Sequence, residues 1–382
     1  MIKHSDEFVS AASYIYLNSL VKLVVGVKEA SRFAVLHMNG KIYAEAYNYK
    51  EPLDLVTHVF FVPQSEFRCG EAEIHFKRYK TEKTEWFPEG EKDGACSFVL
   101  NESDIREYAD CVSDMDSGIE LPEYPTEQEI LDGKVIYSRY DTNNKYGEPV
   151  VFFTLEIDPE YATFITGTPN DGYISGGVKQ TVRDEAREAI KNGKNVVAAT
   201  NADFFDIFGT LRPAGLCIKN CVIVDNSDSD RPFLGVTKDV SFVITDLKES
   251  PQMLVECENA VSGGQIVMKN GDLAEVCPLE PFGYIKHPRT AAGITPEGKL
   301  IILVVDGRIS EYSNGATLVD IASLLKRLGA NTAINLDGGG SSTVIVKNNS
   351  GEFDVRNIPA DLYRPYDRLI RDLYDSILII TK

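Results

Sequence analysis

Three consecutive glycines, Gly338, Gly339 and Gly340, interrupt two apolar runs near the end of this 382-residue chain. Ala333, Ile334 and Leu336 read as a strand entering the run, and Thr343-Val344-Ile345-Val346 as the strand that leaves it. Glycines between two strands allow the backbone to take positive φ and to approach another group closely. The run is not a nucleotide P-loop. It carries no lysine after its glycines, and a strand follows where a P-loop has a helix. A plain hairpin turn remains one reading. The other is a ligand loop whose N–H groups form an anion-binding nest. Asp337 at the strand end and the hydroxyls of Ser341, Ser342 and Thr343 favour the second.

The rest of the chain reads as two regions. Residues 10–30 mix apolar and small side chains and are compatible with a helix. Beyond them Val59-Phe60-Phe61-Val62, stopped by Pro63, reads as a strand. Ala72, Ile74 and Phe76 alternate with Glu73, His75 and Lys77 at the strand period. Residues 101–132 hold eleven acidic residues against one arginine, which suits an exposed segment. A boundary is expected near residue 132, with a β-rich accessory domain over 1–132 ending in an acidic linker.

From 133 to 382 strand and helix signals alternate. Val150 to Ile157, Asn195 to Thr200, Leu300 to Val305 and Ser376 to Ile380 are apolar strands. Thr181 followed by Asp184 and Glu185 starts a helix through Ala186, Ala189 and Ile190 that stops at Gly193. Thr317 and Asp320 start another. Its apolar face is Leu318, Ile321, Ala322, Leu325 and Leu328, and Gly329 ends it. The expected fold is α+β, a mixed-sheet catalytic domain with flanking helices behind the smaller β-rich domain.

A net charge of −19 argues against nucleic acid and anionic membrane surfaces as partners. It leaves room for an anionic substrate held by a few arginines in a cleft. No window approaches a membrane span, and the start of the chain has no secretory leader of the usual form. The expectation is a cytoplasmic protein, or a secreted one if a leader has been removed. The seven cysteines (69, 96, 111, 217, 221, 257, 277) are irregularly spaced. Free, buried thiols fit best, although Cys217 and Cys221 could form a disulfide or half a metal site.

Polar clusters sit where apolar strands end, the place from which a rigid sheet aims loop residues. One is Asn201 and Asp203, with Asp206 nearby. Another is Asp306-Gly307-Arg308. Arg289 follows His287-Pro288 and precedes small residues. His287 is the only histidine in the C-terminal two-thirds and adjoins no G-x-S-x-G motif, which disfavours a serine hydrolase. The histidine supply also disfavours a di-metal phosphodiesterase, while a carboxylate-bound Ca²⁺ or Mg²⁺ stays compatible.

These blocks resemble, in order, the phosphodiester glycosidase domain family over about 133–382. Asn201-Ala202-Asp203-Phe204-Phe205 with Arg212-Pro213-Ala214-Gly215 resembles its N-G-D-F-F…P-x-G block. Ala202 stands where the family often has glycine. Arg289-Thr290-Ala291-Ala292-Gly293 resembles R-T-A-x-G. Val304-Val305-Asp306-Gly307-Arg308 followed by Ser313-Asn314-Gly315-Ala316-Thr317-Leu318 resembles V-V-D-G-R…S-x-G-x-T-L. Asn335-Leu336-Asp337-Gly338-Gly339-Gly340-Ser341-Ser342-Thr343 matches N-L-D-G-G-G-S-S-T. Arg356-Asn357-Ile358-Pro359 and Arg371 look like its closing elements.

The resemblance implies hydrolysis of the glycosidic bond of a sugar 1-phosphodiester, N-acetylglucosamine-1-phosphate diesters among them, to free sugar and a phosphomonoester. The leaving phosphate is a far weaker base than an alkoxide, so protonating it matters less than in ordinary glycosidases. The chemistry needs donors for the phosphate. Arg289, Arg308 and Arg371 suit that role, with the Gly338 and Gly339 amides, Ser341, Ser342 and Asn201. It also needs a carboxylate as nucleophile or base. Asp337 and Asp203 are the first candidates and Asp306 the third, unless Asp306 instead orients Arg308. No cofactor is required, and a divalent cation such as Ca²⁺ is compatible. The alternative is a non-catalytic binder of phosphorylated glycans or cell-wall polymers.

Overall fold

The structure is a computed structural model. It describes residues 9–17, 20–27, 31–44, 57–78, 93–100, 102, 116–207, 209–227, 230–274, 286–360, 362–364, 367–368 and 370–382. The chain divides into two compact units, the first drawn mainly from Met1–Asp114 and the second from Met115–Pro278 and Gly283–Lys382.

In the first unit, Val9–Leu17, Leu20–Val27 and Thr57–Pro63 form one antiparallel sheet. Lys41–Ala44, Ser31–Met38, Gly70–Arg78 and Asp93–Leu100 form another. Alternate residues enter one core. Val21, Leu23 and Val25 meet Leu36, Phe60, Val62, Ala72 and Ile74 there. The described residues of 10–30 are therefore strands, Val9–Leu17 and Leu20–Val27, and not the helix expected. Their period is two, as Val21, Leu23 and Val25 entering the core show.

The second unit is built on an eight-stranded sheet. Its order is Asp272–Leu273, Gln265–Lys269, Thr332–Asn335, Arg289–Ile294, Leu300–Val305, Pro149–Ile157, Val135–Asn143 and Glu127–Leu131. Two five-stranded sheets accompany it. One runs Ala162–Gly167, Ser376–Thr381, Val196–Asn201, Val344–Lys347, Phe353–Val355. The other runs Val222–Asn226, Leu216–Lys219, Cys257–Ser262, Phe233–Thr237, Phe242–Thr245. Side chains from all three meet in one core. Val151, Phe153, Leu155, Leu300, Ile302 and Val304 come from the first sheet, Phe164, Val344, Ile377 and Ile379 from the second, and Leu234, Val261 and Phe242 from the third.

This corrects the expected fold class. The protein is predominantly β, with three α-helices among the described residues (Val182–Lys191, Met253–Glu256, Leu318–Arg327), and the sheets of this unit are antiparallel, not mixed. The misleading signal was the unbroken apolar run Leu300–Val305. Such runs typify strands covered on both faces, as parallel strands usually are. Here an antiparallel strand is covered twice. Leu300, Ile302 and Val304 enter the core, and Ile301, Leu303 and Val305 are buried on the opposite face. Helix Leu318–Arg327 covers this sheet, and a methyl group at Gly293 on the neighbouring strand would sit 3.2 Å from Leu325 Cδ2.

Both expected long helices form at the expected caps. Thr181 Oγ1 accepts from Asp184 N at 3.1 Å, and Ala186 and Ala189 bury against the Ala162–Gly167 sheet. Thr317 and Asp320 make a reciprocal capping box, and Gly329 turns the chain out at φ 102°. Asp320 also accepts from Ser117 N at 2.6 Å. In the acidic stretch, Ile119 is buried and Glu127–Leu131 is the edge strand. Glu127 and Glu129 both pair with Arg356. Residues 103–115 of that stretch lie outside the described residues.

Thr317→Ala removes one side of the capping box while leaving Asp320 in place. It should cost about 1 kcal/mol, read as a lower urea midpoint with an unchanged slope.

Candidate active site

Three of the sequence blocks pack backbone against backbone around His287–Pro288. A methyl group on Gly307 would lie 2.7 Å from Pro288 N, one on Gly315 2.6 Å from His287 O, and one on Gly338 2.7 Å from Pro288 O. The Gly339 N–H donates to Pro288 O at 2.8 Å, and His287 and Ala316 pair through both backbone groups. Gly315 at φ 93° and Gly339 at φ 63° need the left-handed region as well. The glycines thus serve close approach, and the loops carrying Arg289, Arg308 and Asp337 are fixed to one another.

Asn201 fastens the glycine loop from the other side. Its Nδ2 donates to Asp337 O at 2.6 Å, and its Oδ1 accepts from Thr290 Oγ1 at 2.9 Å and Thr343 N at 3.1 Å. Its amide is used within the protein and supports the loop. Asp306 is a second tie. Its Oδ1 accepts from Asn357 Nδ2 at 2.9 Å, and its Oδ2 from Ile358 N at 2.8 Å and Tyr312 Oη at 3.0 Å. Asn357 also donates to Ser342 O at 2.9 Å. The closing Asn-x-Pro block is thereby tied to the strand end and the glycine loop. Asp306 is buried in these bonds, which suits a scaffold more than a reacting carboxylate.

The acid centre gathers around Asp337. Asp337 N donates to Ala202 O at 2.9 Å, which sets this residue beside Asp203. Burial pushes its carboxyl up to about 6, against the Ser341 hydroxyl, the Arg371 and Arg231 charges and the Gly338 N–H. Arg371 Nη1 donates to Ser341 Oγ at 3.2 Å, so Asp337, Ser341 and Arg371 form one group. Asp203 is buried. Its Oδ2 accepts from Gly215 N at 3.2 Å and from Ser262 Oγ, and its own N–H donates to Asp375 Oδ1 at 2.9 Å. Burial and then the neighbouring Asp375 push the Asp203 carboxyl well above the carboxylate range. Burial alone accounts for most of the rise of Asp375 to about 7, and Asp337 adds to it.

The remaining expected residues spread around this centre. Arg308, exposed and at φ 63°, lies over Gly339, where a methyl group would come within 3.1 Å of its Nη2. Its Nη2 is 3.4 Å from His287 Nδ1. Burial, with Arg289 and Arg308 adding to it, drives His287 down to about 3, so the imidazole is neutral at physiological pH. Arg289 is buried and donates from Nε to Ala316 O at 2.9 Å. Ser342 Oγ is 3.3 Å from Thr290 Oγ1. Asp206 is a turn residue, accepting from Gly209 N and Thr210 N. Cys217 and Cys221 are both free thiols, so they form no disulfide, while the side chains of Cys96, Cys111 and Cys277 lie outside the described set. Among the described residues no group of three or more His, Cys, Asp or Glu is arranged to hold a metal ion, and no helix is long and apolar enough to cross a membrane.

Sequence reasoning missed Asp375, Ser262 and Arg231. Arg231 stacks over the Phe204 ring at 5.1 Å and donates to Gly263 O at 3.0 Å. Its charge reaches both Asp203 and Asp337. Asp375 immediately precedes the last strand with no motif around it. The one signal available was an acid placed just before an otherwise apolar run.

Gly315→Ala combines strain with a backbone clash and should cost at least about 2 kcal/mol. Gly351→Ala, at φ 86° with nothing within 4 Å, should cost only about 1 kcal/mol. Equal costs in denaturant titrations would contradict the packing role of Gly315.

Residues 194–372 match the family model described as phosphodiester glycosidase. The chain is 48% identical over 63 residues to the SPbeta prophage-derived uncharacterized protein YomE of Bacillus subtilis (strain 168), covering 16% of this chain and 10% of that one. It is 24% identical over 233 residues to the human N-acetylglucosamine-1-phosphodiester alpha-N-acetylglucosaminidase, covering 55% of this chain and 42% of the enzyme. The chain therefore spans less than half the length of these curated relatives. The zebrafish N-acetylglucosamine-1-phosphodiester alpha-N-acetylglucosaminidase catalytic domain, solved in a form auto-inhibited by its pro-peptide, aligns with a TM-score of 0.54 at 22% identity. That alignment covers 69% of this chain and 88% of that one, a likeness of fold. Over residues 194–372, just under half of its length, this chain is similar to the phosphodiester glycosidase family.

Proposed function

We propose that the protein hydrolyses the glycosidic bond of a sugar 1-phosphodiester, with N-acetylglucosamine-1-phosphate diesters as the first substrates to try. The observation that carries this reading is the grouping of Asp337 and Ser341 on a glycine loop with Arg371, which donates to Ser341, and with the exposed Arg308 beside them. A guanidinium and a hydroxyl suit a phosphate, and a carboxylate nearby suits an oxocarbenium-like carbon or an attacking water.

In this mechanism Arg371 and Arg308 hold the phosphate of the diester. Asp337, ionised above about pH 6, either takes a proton from the water that attacks C1, or attacks C1 itself to form a glycosyl ester that water then hydrolyses to free sugar and carboxylate. The C1–O bond breaks, and its electron pair leaves on the phosphate oxygen as a phosphomonoester. A weakly basic leaving group needs little protonation, which fits a site whose histidine is held neutral.

The test is release of free sugar from a panel of sugar 1-phosphodiesters. The acid limb of kcat/KM should fall near pH 6, with activity rising as pH rises because ionised Asp337 is the working form. Asp337→Asn should lower kcat by about 10²-fold or more. Arg308→Ala, at an exposed position, should act mainly by raising KM. No turnover by the wild type on any diester, with saturable binding in calorimetry, would favour the binding role instead. Activity abolished by a chelator would favour metal-assisted chemistry.

A further inference from the structure

Arg231 is half-buried beside the acid centre, and the proposed reaction gives it no task. Its guanidinium lies over the Phe204 ring at 5.1 Å, and its Nε donates to Gly263 O at 3.0 Å. The main chain next to it is pinned too, because Gly263 N donates to Pro232 O at 2.8 Å. Among the described residues, Arg231 Nη1 and Nη2 have no hydrogen-bond or ion-pair partner. A guanidinium donates from every nitrogen and accepts nothing. One that is stacked and anchored at Nε keeps a fixed outer edge of donors for oxygens the protein does not supply.

Close approaches place Arg231 in the site. A methyl group on Gly215 would lie 3.2 Å from Arg231 Cβ and 2.5 Å from Ser262 Oγ. Gly215 N and Ser262 Oγ are the two donors to Asp203 Oδ2. On the other flank, a methyl group on Gly264 would lie 3.1 Å from Phe204 Cε2 and 3.1 Å from Asn335 Nδ2. Gly264 N donates to Asn335 O at 2.8 Å, and Asn335 leads into Asp337. Arg231 and Phe204 thus stand where the Asp203 turn, Ser262–Gly264 and the entrance to the glycine loop meet. In agreement, the Arg231 charge acts on both Asp203 and Asp337.

The phosphate donors of the proposed reaction lie at the other end of that loop. Arg308 lies over Gly339, and Arg371 donates to Ser341. With phosphate at Gly339–Ser341 and the reacting C1 at Asp337, the end beside Asn335 and Phe204 is left to the sugar. We infer, resting on that reading of the reaction, that Arg231 binds the sugar, its Nη1 and Nη2 donating to two neighbouring oxygens of the ring that bears C1.

Other roles for Arg231 have different consequences. If it only offset the charge of Asp203 and Asp337, a lysine would serve as well. If it only braced Phe204 and Gly263, its loss would lower stability and leave sugar affinity alone. If it held the phosphate, phosphate affinity would fall in place of sugar affinity. Arg231→Lys keeps the charge and loses the fork, and Arg231→Gln loses both.

The experiment measures binding to the full chain by ligand-observed NMR, with saturation transfer for free sugars and ³¹P line width for inorganic phosphate. The sugars are N-acetylglucosamine, glucose, galactose and mannose. Arg231→Lys and Arg231→Gln should each weaken the bound sugar about tenfold or more and leave phosphate within about twofold, as expected for lost hydrogen bonds from a charged donor. Phe204→Leu frees the guanidinium without removing it. It should weaken the sugar in the same direction, and it serves if the Arg231 variants do not fold. The inference is overturned if no sugar of the set binds the wild type, if Arg231→Lys retains full sugar affinity, or if phosphate is the ligand lost. Sugar binding that depends on Arg231 in a protein that turns over no diester would sink the proposed reaction alone. Turnover with sugar affinity indifferent to Arg231 would sink this inference alone.

Discussion

Close packing of backbone on backbone at His287–Pro288 is the constraint on which the site depends. Gly307, Gly315 and Gly338 each lie where any side chain would overlap that segment, and Gly339 donates to it. Three loops from distant parts of the chain are thereby held in one register. Arg308 and Asp337 follow or precede these glycines directly in sequence, and Arg289 follows Pro288. Their relative positions are consequences of the packing. Rigid loops of this kind lower the cost of ordering a ligand's partners when it binds.

Electrostatics builds on that frame. A chain of net charge −19 concentrates three of its acids, Asp203, Asp337 and Asp375, where burial raises them all. Such an arrangement does not stabilise the fold. A carboxyl raised by burial favours the folded state at low pH and opposes it once pH passes the folded value. Arg231 and Arg371 moderate the effect without removing it. Raised carboxyls beside arginines in a glycine-walled site suit the proposed reaction, in which a group gains or loses a proton near neutrality.

Much of this was legible in the residues, and what was not has physical reasons. Both long helices could be placed from Thr181 with Asp184 and from Thr317 with Asp320, because caps are local chemistry. Strand Leu300–Val305 was found to the residue, but not its direction, because burial on both faces looks the same in parallel and antiparallel sheets. That misled the fold class. Asp203, Asp337, Ser341 and Arg371 do come together, through the Asp337 N–Ala202 O and Arg371–Ser341 bonds that join loops following strands of different sheets. Asn201 and Asp306 are equally local in sequence. Their roles as ties depend on partners 136 and 51 residues away, which no spacing discloses. Asp375 needed the tertiary structure entirely, because its meaning comes from the N–H of Asp203.

The central claim is that Asp337 and its neighbours break the bond between the sugar carbon and the phosphate oxygen. Hydrolysis of a sugar 1-phosphodiester in ¹⁸O-labelled water reads this directly, by mass spectrometry of both products. The geometry predicts label in the released sugar and none in the phosphomonoester. Label in the phosphate would mean cleavage on the phosphorus side and would contradict the reading of this site as a glycosidase.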